Sequence, residues 1–89
     1  MYSRVIEIKK VGSALTRTAS CYVRKANEFK STISVGVAKD DRYVNAKSLL
    51  GVLSLGMTDH MKLEIRAEGE DEEAAVNALC AFIENGFEG

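Results

Sequence analysis

The chain holds a single histidine, His60, and only two cysteines, Cys21 and Cys80. Two cysteines are too few for a disulfide scaffold, and their spacing matches no metal motif. With neither CxxC nor HxxxH, the donor set of a zinc site is missing. No metal and no cofactor is expected. No apolar run approaches the roughly 20 residues that a membrane-spanning helix needs. The opening MYSRVIEIKK alternates and has no signal-peptide core, so a cytoplasmic protein without membrane contact is expected. Proline is absent, and no low-complexity linker or internal repeat divides the chain. No nucleophile and base stand in a recognisable arrangement, which argues against an autonomous enzyme.

What is present is ordinary for a folded domain. At 89 residues the chain can bury one modest core, and residues 1–89 are expected to form a single domain. Charge is unevenly placed. Residues 1–67 hold all 12 lysines and arginines against 6 acids, whereas residues 68–89 hold 7 acids and no base. Such a dipolar molecule can steer an acidic partner to its basic side. Alternatively, the acids merely decorate one helix.

The apolar pattern gives seven elements in the order β-α-β-β-α-β-α. In residues 2–9, Ile6 and Ile8 share one face and Glu7 and Lys9 the other, a half-buried strand. From Thr16 or Thr18, read as helix caps, a helix runs to about Phe29, with Ala19, Tyr22, Val23, Ala26 and Phe29 on one stripe. Cys21 projects away from that stripe, as an exposed spectator thiol. Ile33, Val35 and Val37 alternate in a second strand. Lys39-Asp40-Asp41 makes a turn, and Arg42-Tyr43-Val44 opens a third strand. Met61, Leu63, Ile65 and Ala67 mark the clearest strand of all. The acids of residues 70–73 then open a last helix at its positive end, with Ala75, Val76, Leu79, Phe82 and Ile83 facing inward. An antiparallel sheet with helices on one face satisfies every stripe. Pattern alone leaves ferredoxin-like and RNA-binding sheets open as well.

Between the third and fourth strands lies NAKSLLGVLSLGM, residues 45–57. Ser48 precedes an aliphatic run as an N-cap does, its hydroxyl placed to accept from a first-turn amide. Gly56 is suited to stop the short helix. So many aliphatic residues on so short an element cannot all face one core. Some remain outside, as an apolar patch beside a hydroxyl.

NAKSLLGVLSLGM, together with YVRKANEF (22–29) and AEGEDEEAAVNAL (67–79), resembles HPr, the small phosphocarrier protein of the bacterial sugar phosphotransferase system. The three blocks and the lengths between them cover essentially the whole chain. The resemblance implies an α+β, open-faced sandwich: a four-stranded antiparallel sheet of order 1-4-2-3, with three helices on one face. HPr carries phosphate on a histidine at the start of its first helix, within a Gly-Leu-His-(Ala/Thr)-Arg-Pro-Ala type of motif. The matching stretch here is Ser13-Ala14-Leu15-Thr16-Arg17-Thr18-Ala19. Arg17 and Ala19 match, but Leu15 stands at the histidine position and Thr18 at the proline, and a leucine has no atom that can carry phosphate. Arg17 either keeps an anion-facing role or is a solvated loop residue. His60 is no substitute, because it lies in a turn where the family often has glycine and no helix N-terminus is beside it. Histidine tolerates the positive φ such a turn demands.

In the family, the serine matching Ser48 is phosphorylated by an ATP-dependent HPr kinase/phosphorylase. The product is read by a transcription regulator, catabolite control protein A. The partner surface so implied combines Ser48, Arg17, Leu49 and Leu53, and the neighbouring Lys47 and Leu50 are expected to belong to it. The alternative is that Ser48 is an N-cap only.

The expectation is a degenerate, Crh-like HPr protein acting as a regulatory or adaptor module in carbon catabolite regulation, with protein partners. An HPr-like interaction domain of another complex, without serine phosphorylation, remains open. A small nucleic-acid-binding sheet is disfavoured, because the strands lack base-stacking aromatic pairs and the net charge is −1. One departure from the family is a second-to-third-strand hairpin two residues longer than usual, near Asp40.

Overall fold

A computed structural model describes residues 1–8, 15–37, 39, 42–55 and 60–85. Seven elements follow in the expected order: β1 (Tyr2–Glu7), α1 (Leu15–Ala26), β2 (Thr32–Val37), β3 (Arg42–Asn45), α2 (Leu49–Ser54), β4 (Lys62–Glu68) and α3 (Glu72–Glu84). The strands form one antiparallel sheet of order β1-β4-β2-β3. This is the open-faced sandwich that the HPr resemblance implies.

The core is where the period-2 and period-3.6 stripes meet. Leu63, Ile65 and Ala67 of β4 and Ile33 and Val35 of β2 face inward, against Ala75, Val76, Leu79, Phe82 and Ile83 of α3 and Ala19, Tyr22 and Ala26 of α1. Cys80 is buried with them, an inward position that the apolar count of α3 had missed. Burial pushes its thiol pKa up, because the thiolate would be desolvated. Cys21 is half-buried and packed against the core rather than exposed. Helix α1 packs against both α2 and α3, so its flank is covered as well as its main stripe.

Helix α1 begins at Leu15, so Thr16 and Thr18 lie inside its first turns and neither is the cap. The first strand ends at Glu7, and Ile8 continues the pairing through one bulge. Both His60 and Met61 oppose Ile8: the His60 amide donates to the Ile8 carbonyl (2.6 Å) and the Ile8 amide to the Met61 carbonyl (2.8 Å). A bulge of this kind puts its first residue in the left-handed region, and His60 has φ 66°. That backbone demand accounts for His60 without any chemistry. Lys9, the stretch 10–14, Asp40, Asp41 and the length of their hairpin, and Gly56 to Asp59 lie outside the described residues.

Two glycines are dictated by geometry. Gly69 has φ 152°, and a Cβ there would lie 2.7 Å from Ser31 Oγ. At Gly36 a Cβ would lie 2.1 Å from the Arg42 carbonyl and 2.5 Å from the Tyr43 ring. The Tyr43 ring therefore lies across Gly36 on the open face of the sheet. The Arg66 guanidinium stacks over that ring at 4.0 Å, and the Tyr43 hydroxyl donates to Glu64. Those two neighbours, Tyr43 first and then Arg66, hold the Glu64 carboxyl below its ordinary pKa.

The loop between α1 and β2 is fastened to the start of α3. Asp71 accepts from the backbone amides of Lys30 and Ser31, both at 2.9 Å, and from the Ser31 hydroxyl. Its carboxylate is thereby unavailable as a side-chain cap for α3, although Asp71 occupies the N-cap position. Glu72 reaches back instead, accepting from the Gly69 amide at 3.3 Å.

Candidate functional site

Helix α2 is short because its start and end are both set by side chains. Ser48 has extended backbone (φ −108°, ψ 118°), and its Oγ accepts from the Gly51 amide at 3.2 Å, the N-cap geometry that sequence suggested. The helix stops at Leu55, in right-handed backbone. There the Arg42 guanidinium donates to the Ser54 carbonyl at 2.7 Å, supplying a cation to the negative end of the helix. Arg42 had not stood out in the sequence. Nothing local could have marked it, because its partner lies on the next element.

The aliphatic run divides between core and surface, with Leu53, expected on the partner surface, drawn toward the core. Val52 is fully buried and Leu55 nearly so, and Leu53 is half-buried against the core. Leu49 is 38% exposed and Leu50 82%. Over the six residues of α2 the core-facing stripe takes Val52, and Leu50, two positions back, is turned to the opposite side. Leu49 and Leu50 thus stand outside, next to a half-buried Ser48.

Lys47, expected on the partner surface, is not a free cation beside the serine. Its Nζ donates to the Phe29 carbonyl at 2.7 Å, just past the end of α1, and the side chain is half-buried. It ties the approach to α2 onto the turn that follows α1. Arg17 is exposed and belongs to the first turn of α1, not to a loop. Helices α1 and α2 pack against one another, so Arg17 lies on the helix adjoining that of Leu49, Leu50 and Leu53, with Lys47 and Ser48 in the approach to the latter. No hydrogen bond or ion pair joins Arg17 to Ser48 among the described residues. Leu15 is the first residue of α1.

His60 lies elsewhere, at the β1–β4 bulge. It is exposed, with Nδ1 3.6 Å from the Glu7 carboxylate. Among the described residues no cluster of three or more His, Cys, Asp or Glu could hold a metal ion. Likewise, no described helix is long and apolar enough to cross a membrane.

Comparison with known proteins agrees with this geometry. A family model described as "PTS HPr component phosphorylation site" matches residues 2–85. The chain is similar to an HPr-like protein Crh of Halalkalibacterium halodurans, with 38% identity across 94% of this chain and 98% of that relative. In three dimensions it resembles HPr-C-His of Thermoanaerobacter tengcongensis, with TM-score 0.88, 41% identity and coverage of 98% and 96%. It also resembles Crh of Bacillus subtilis, described as the catabolite repression HPr, with TM-score 0.65, 32% identity and coverage of 92% and 95%. The matches span nearly the full length of both partners and share the four-stranded sheet and three helices described above. The chain belongs to the HPr family, a family of carrier and regulatory proteins rather than enzymes.

Proposed function

We propose that this chain is an HPr-like regulatory or adaptor protein, one HPr-like domain over residues 1–89, that does not carry phosphate on histidine. In this reading it works in the cytoplasm and is controlled by phosphorylation of Ser48 in carbon catabolite regulation. The observation that carries the proposal is Leu15 at the first position of α1. Phosphoryl transfer between histidines needs a ring nitrogen there, and the one imidazole of the chain is at the β1–β4 bulge, held by a backbone requirement. The likeness to two Crh proteins, one described by its role in catabolite repression, supports the regulatory side.

Ser48 and the leucines beside it supply the surface. An HPr kinase/phosphorylase would transfer the γ-phosphoryl group of ATP to Ser48 Oγ, with the hydroxyl proton passing to a base on the kinase and ADP leaving. The phosphate adds roughly two negative charges next to the exposed Leu49 and Leu50. A partner that reads it, such as a catabolite control regulator, would combine cationic groups for the phosphate with an apolar seat for the leucines. Arg17 on the adjoining helix extends the surface, and Lys47 shapes it by holding α2 to the end of α1.

A second reading rests on one specific contact. Ser48 Oγ is already engaged as the cap of α2, which suits an interaction domain that uses the leucines without phosphorylation. Incubation with ATP and an HPr kinase, followed by mass spectrometry and pull-down, separates the two. Phosphate at Ser48 with altered partner binding supports regulation. An unmodified Ser48, under conditions that modify ordinary HPr, leaves the second reading. Phosphoenolpyruvate with enzyme I of the phosphotransferase system should place no label on the chain. Acid-labile label at His60 would refute the loss of carrier function.

A further inference from the structure

One peptide group carries two of the contacts that hold the loop after α1. Residues 27–31 join α1 to β2 through turns and bends. Within them the Phe29 carbonyl accepts from Lys47 Nζ at 2.7 Å, and the Lys30 amide donates to Asp71 Oδ2 at 2.9 Å. That carbonyl and that amide belong to the same peptide bond. The bond is trans and planar, so its oxygen and its hydrogen point to opposite sides. A single plane thus has an ammonium at one end and a carboxylate at the other. Each charge polarises the amide in the sense that strengthens the hydrogen bond at the far end. Asp71 grips the loop further, because its other oxygen takes the Ser31 amide at 2.9 Å and the hydroxyl of that buried serine. Lys47 leads directly into Ser48. The approach to α2 is held on the sheet side by the Ala46 amide on the Ile33 carbonyl and the Ser48 amide on the Asn45 carbonyl. Lys47 holds it on the side of α1.

We propose, on the reading of Ser48 and its leucines as the regulated surface, that Asp71 is a positioning residue for that surface. It acts from the start of α3 through the Phe29–Lys30 peptide plane and Lys47. A peptide plane turns as one body. With the carboxylate in place, the Phe29 carbonyl is aimed at Lys47, and the ammonium keeps the approach to α2 against the end of α1. Without the carboxylate, the Lys30 and Ser31 amides lose their shared acceptor. The plane then tilts toward other partners, and the carbonyl turns with it. Lys47 returns to solvent, and the α1 side of the Ser48 approach is released. The coupling is reciprocal, as linkage requires, so removing the ammonium weakens the bond from the Lys30 amide to Asp71. A clasp that merely tied the loop to α3 would produce neither effect, because Asp71 and Lys47 hold opposite ends of the plane.

The test compares the full chain with Asp71→Ala, Lys47→Met and the double variant near neutral pH. In NMR spectra, Asp71→Ala should shift the Gly51 amide, which donates to Ser48, and speed its hydrogen exchange about twofold or more. Lys47→Met should shift the Lys30 amide at the other end of the plane. Once Lys47 is gone, Asp71→Ala should leave the Gly51 amide where Lys47→Met alone puts it. Urea unfolding should give a non-additive cycle. The double variant should lose less than the two single losses combined, by about twofold or more in the folding constant. With an HPr kinase and ATP, Asp71→Ala should raise KM for the chain about twofold or more at unchanged kcat. The serine is intact, and only the fraction of chains with the surface in place falls. If Asp71→Ala does not fold, Asp71→Asn, which keeps one acceptor oxygen, is read in the same way. A Gly51 amide indifferent to Asp71, an additive cycle, or a KM that does not move would overturn the proposal. So would a response to Asp71→Ala that is the same with and without Lys47. A wild type left unmodified by the kinase removes the phosphorylation reading of Ser48 instead, and the Gly51 amide and the cycle then decide the relay by themselves.

Discussion

If the leucines of α2 form a docking patch, neighbouring positions of one short helix must differ sharply in what they contribute to folding. Val52 is fully buried, and Leu50, two residues away, is 82% exposed. Val52→Ala removes two methyl groups from a closed core. At about 0.8 kcal/mol for each buried CH2-sized group, plus a cavity that a rigid sheet cannot fill, the loss is about 2–3 kcal/mol. Leu50→Ala removes carbons that are mostly in water, and alanine is the best helix former, so the change should stay within about 0.5 kcal/mol. For a domain of this size 1 kcal/mol corresponds to roughly 4–8 °C in Tm. Thermal unfolding should therefore separate the variants by about 10 °C or more. Leu53→Ala, half-buried, and Leu49→Ala, 38% exposed, should fall between them in that order. Urea titration checks the ranking independently, since variants with equal m and shifted midpoints differ in stability alone. Leu50→Ala should also weaken partner capture while leaving Tm nearly unchanged. Comparable losses of stability for Leu50 and Val52 would mean that both are core and that the patch does not exist.

Two further predictions concern contacts that hold the scaffold. Hydrogen bonds from Ser31 and Lys30 hold the Asp71 carboxyl at a pKa of about 2, below the ordinary aspartate value of about 3.9. A carboxyl depressed by folding contributes stability that is complete above its unfolded pKa and is lost as pH falls through its folded one. The wild type should therefore lose its advantage over Asp71→Asn between about pH 4 and about pH 2; urea midpoints at pH 5, 4, 3 and 2 test this, and a constant gap would contradict it. Gly36→Ala would push a methyl group into the Arg42 carbonyl and the Tyr43 ring. The cost should be about 1–3 kcal/mol, and the Glu64 carboxyl should move back up toward its ordinary pKa as the Tyr43 contact opens, which side-chain NMR titration can follow.

What sequence alone determined were the features written in local periodicity. Alternation at Leu63, Ile65 and Ala67 and the helical spacing of Ala75, Val76, Leu79, Phe82 and Ile83 give the elements and most of the core, because pleat and helical turn repeat over a few residues. Ser48 as a cap was legible for the same reason, the amide that donates to it being three residues away. The exposed histidine turn was legible too, since few side chains accept positive φ. The edges of α1 were less clear, because threonines suit both a cap and an interior first turn, and the cap position itself precedes Leu15. The buried Cys80 and half-covered Cys21 escaped because a thiol fits either environment. Tertiary structure decided everything that depends on distant parts of the chain meeting. Asp71 clasps Ser31 across 40 residues, Lys47 is spent on the Phe29 carbonyl instead of standing free beside Ser48, and Arg42 closes the end of α2. No local pattern encodes these, because a charged side chain looks the same in sequence whether it reaches a carbonyl across the fold or only water. The same holds for the place of β1 in the sheet: alternation marks the strand, but only the sheet order puts it at an edge, paired with β4 alone among the described residues.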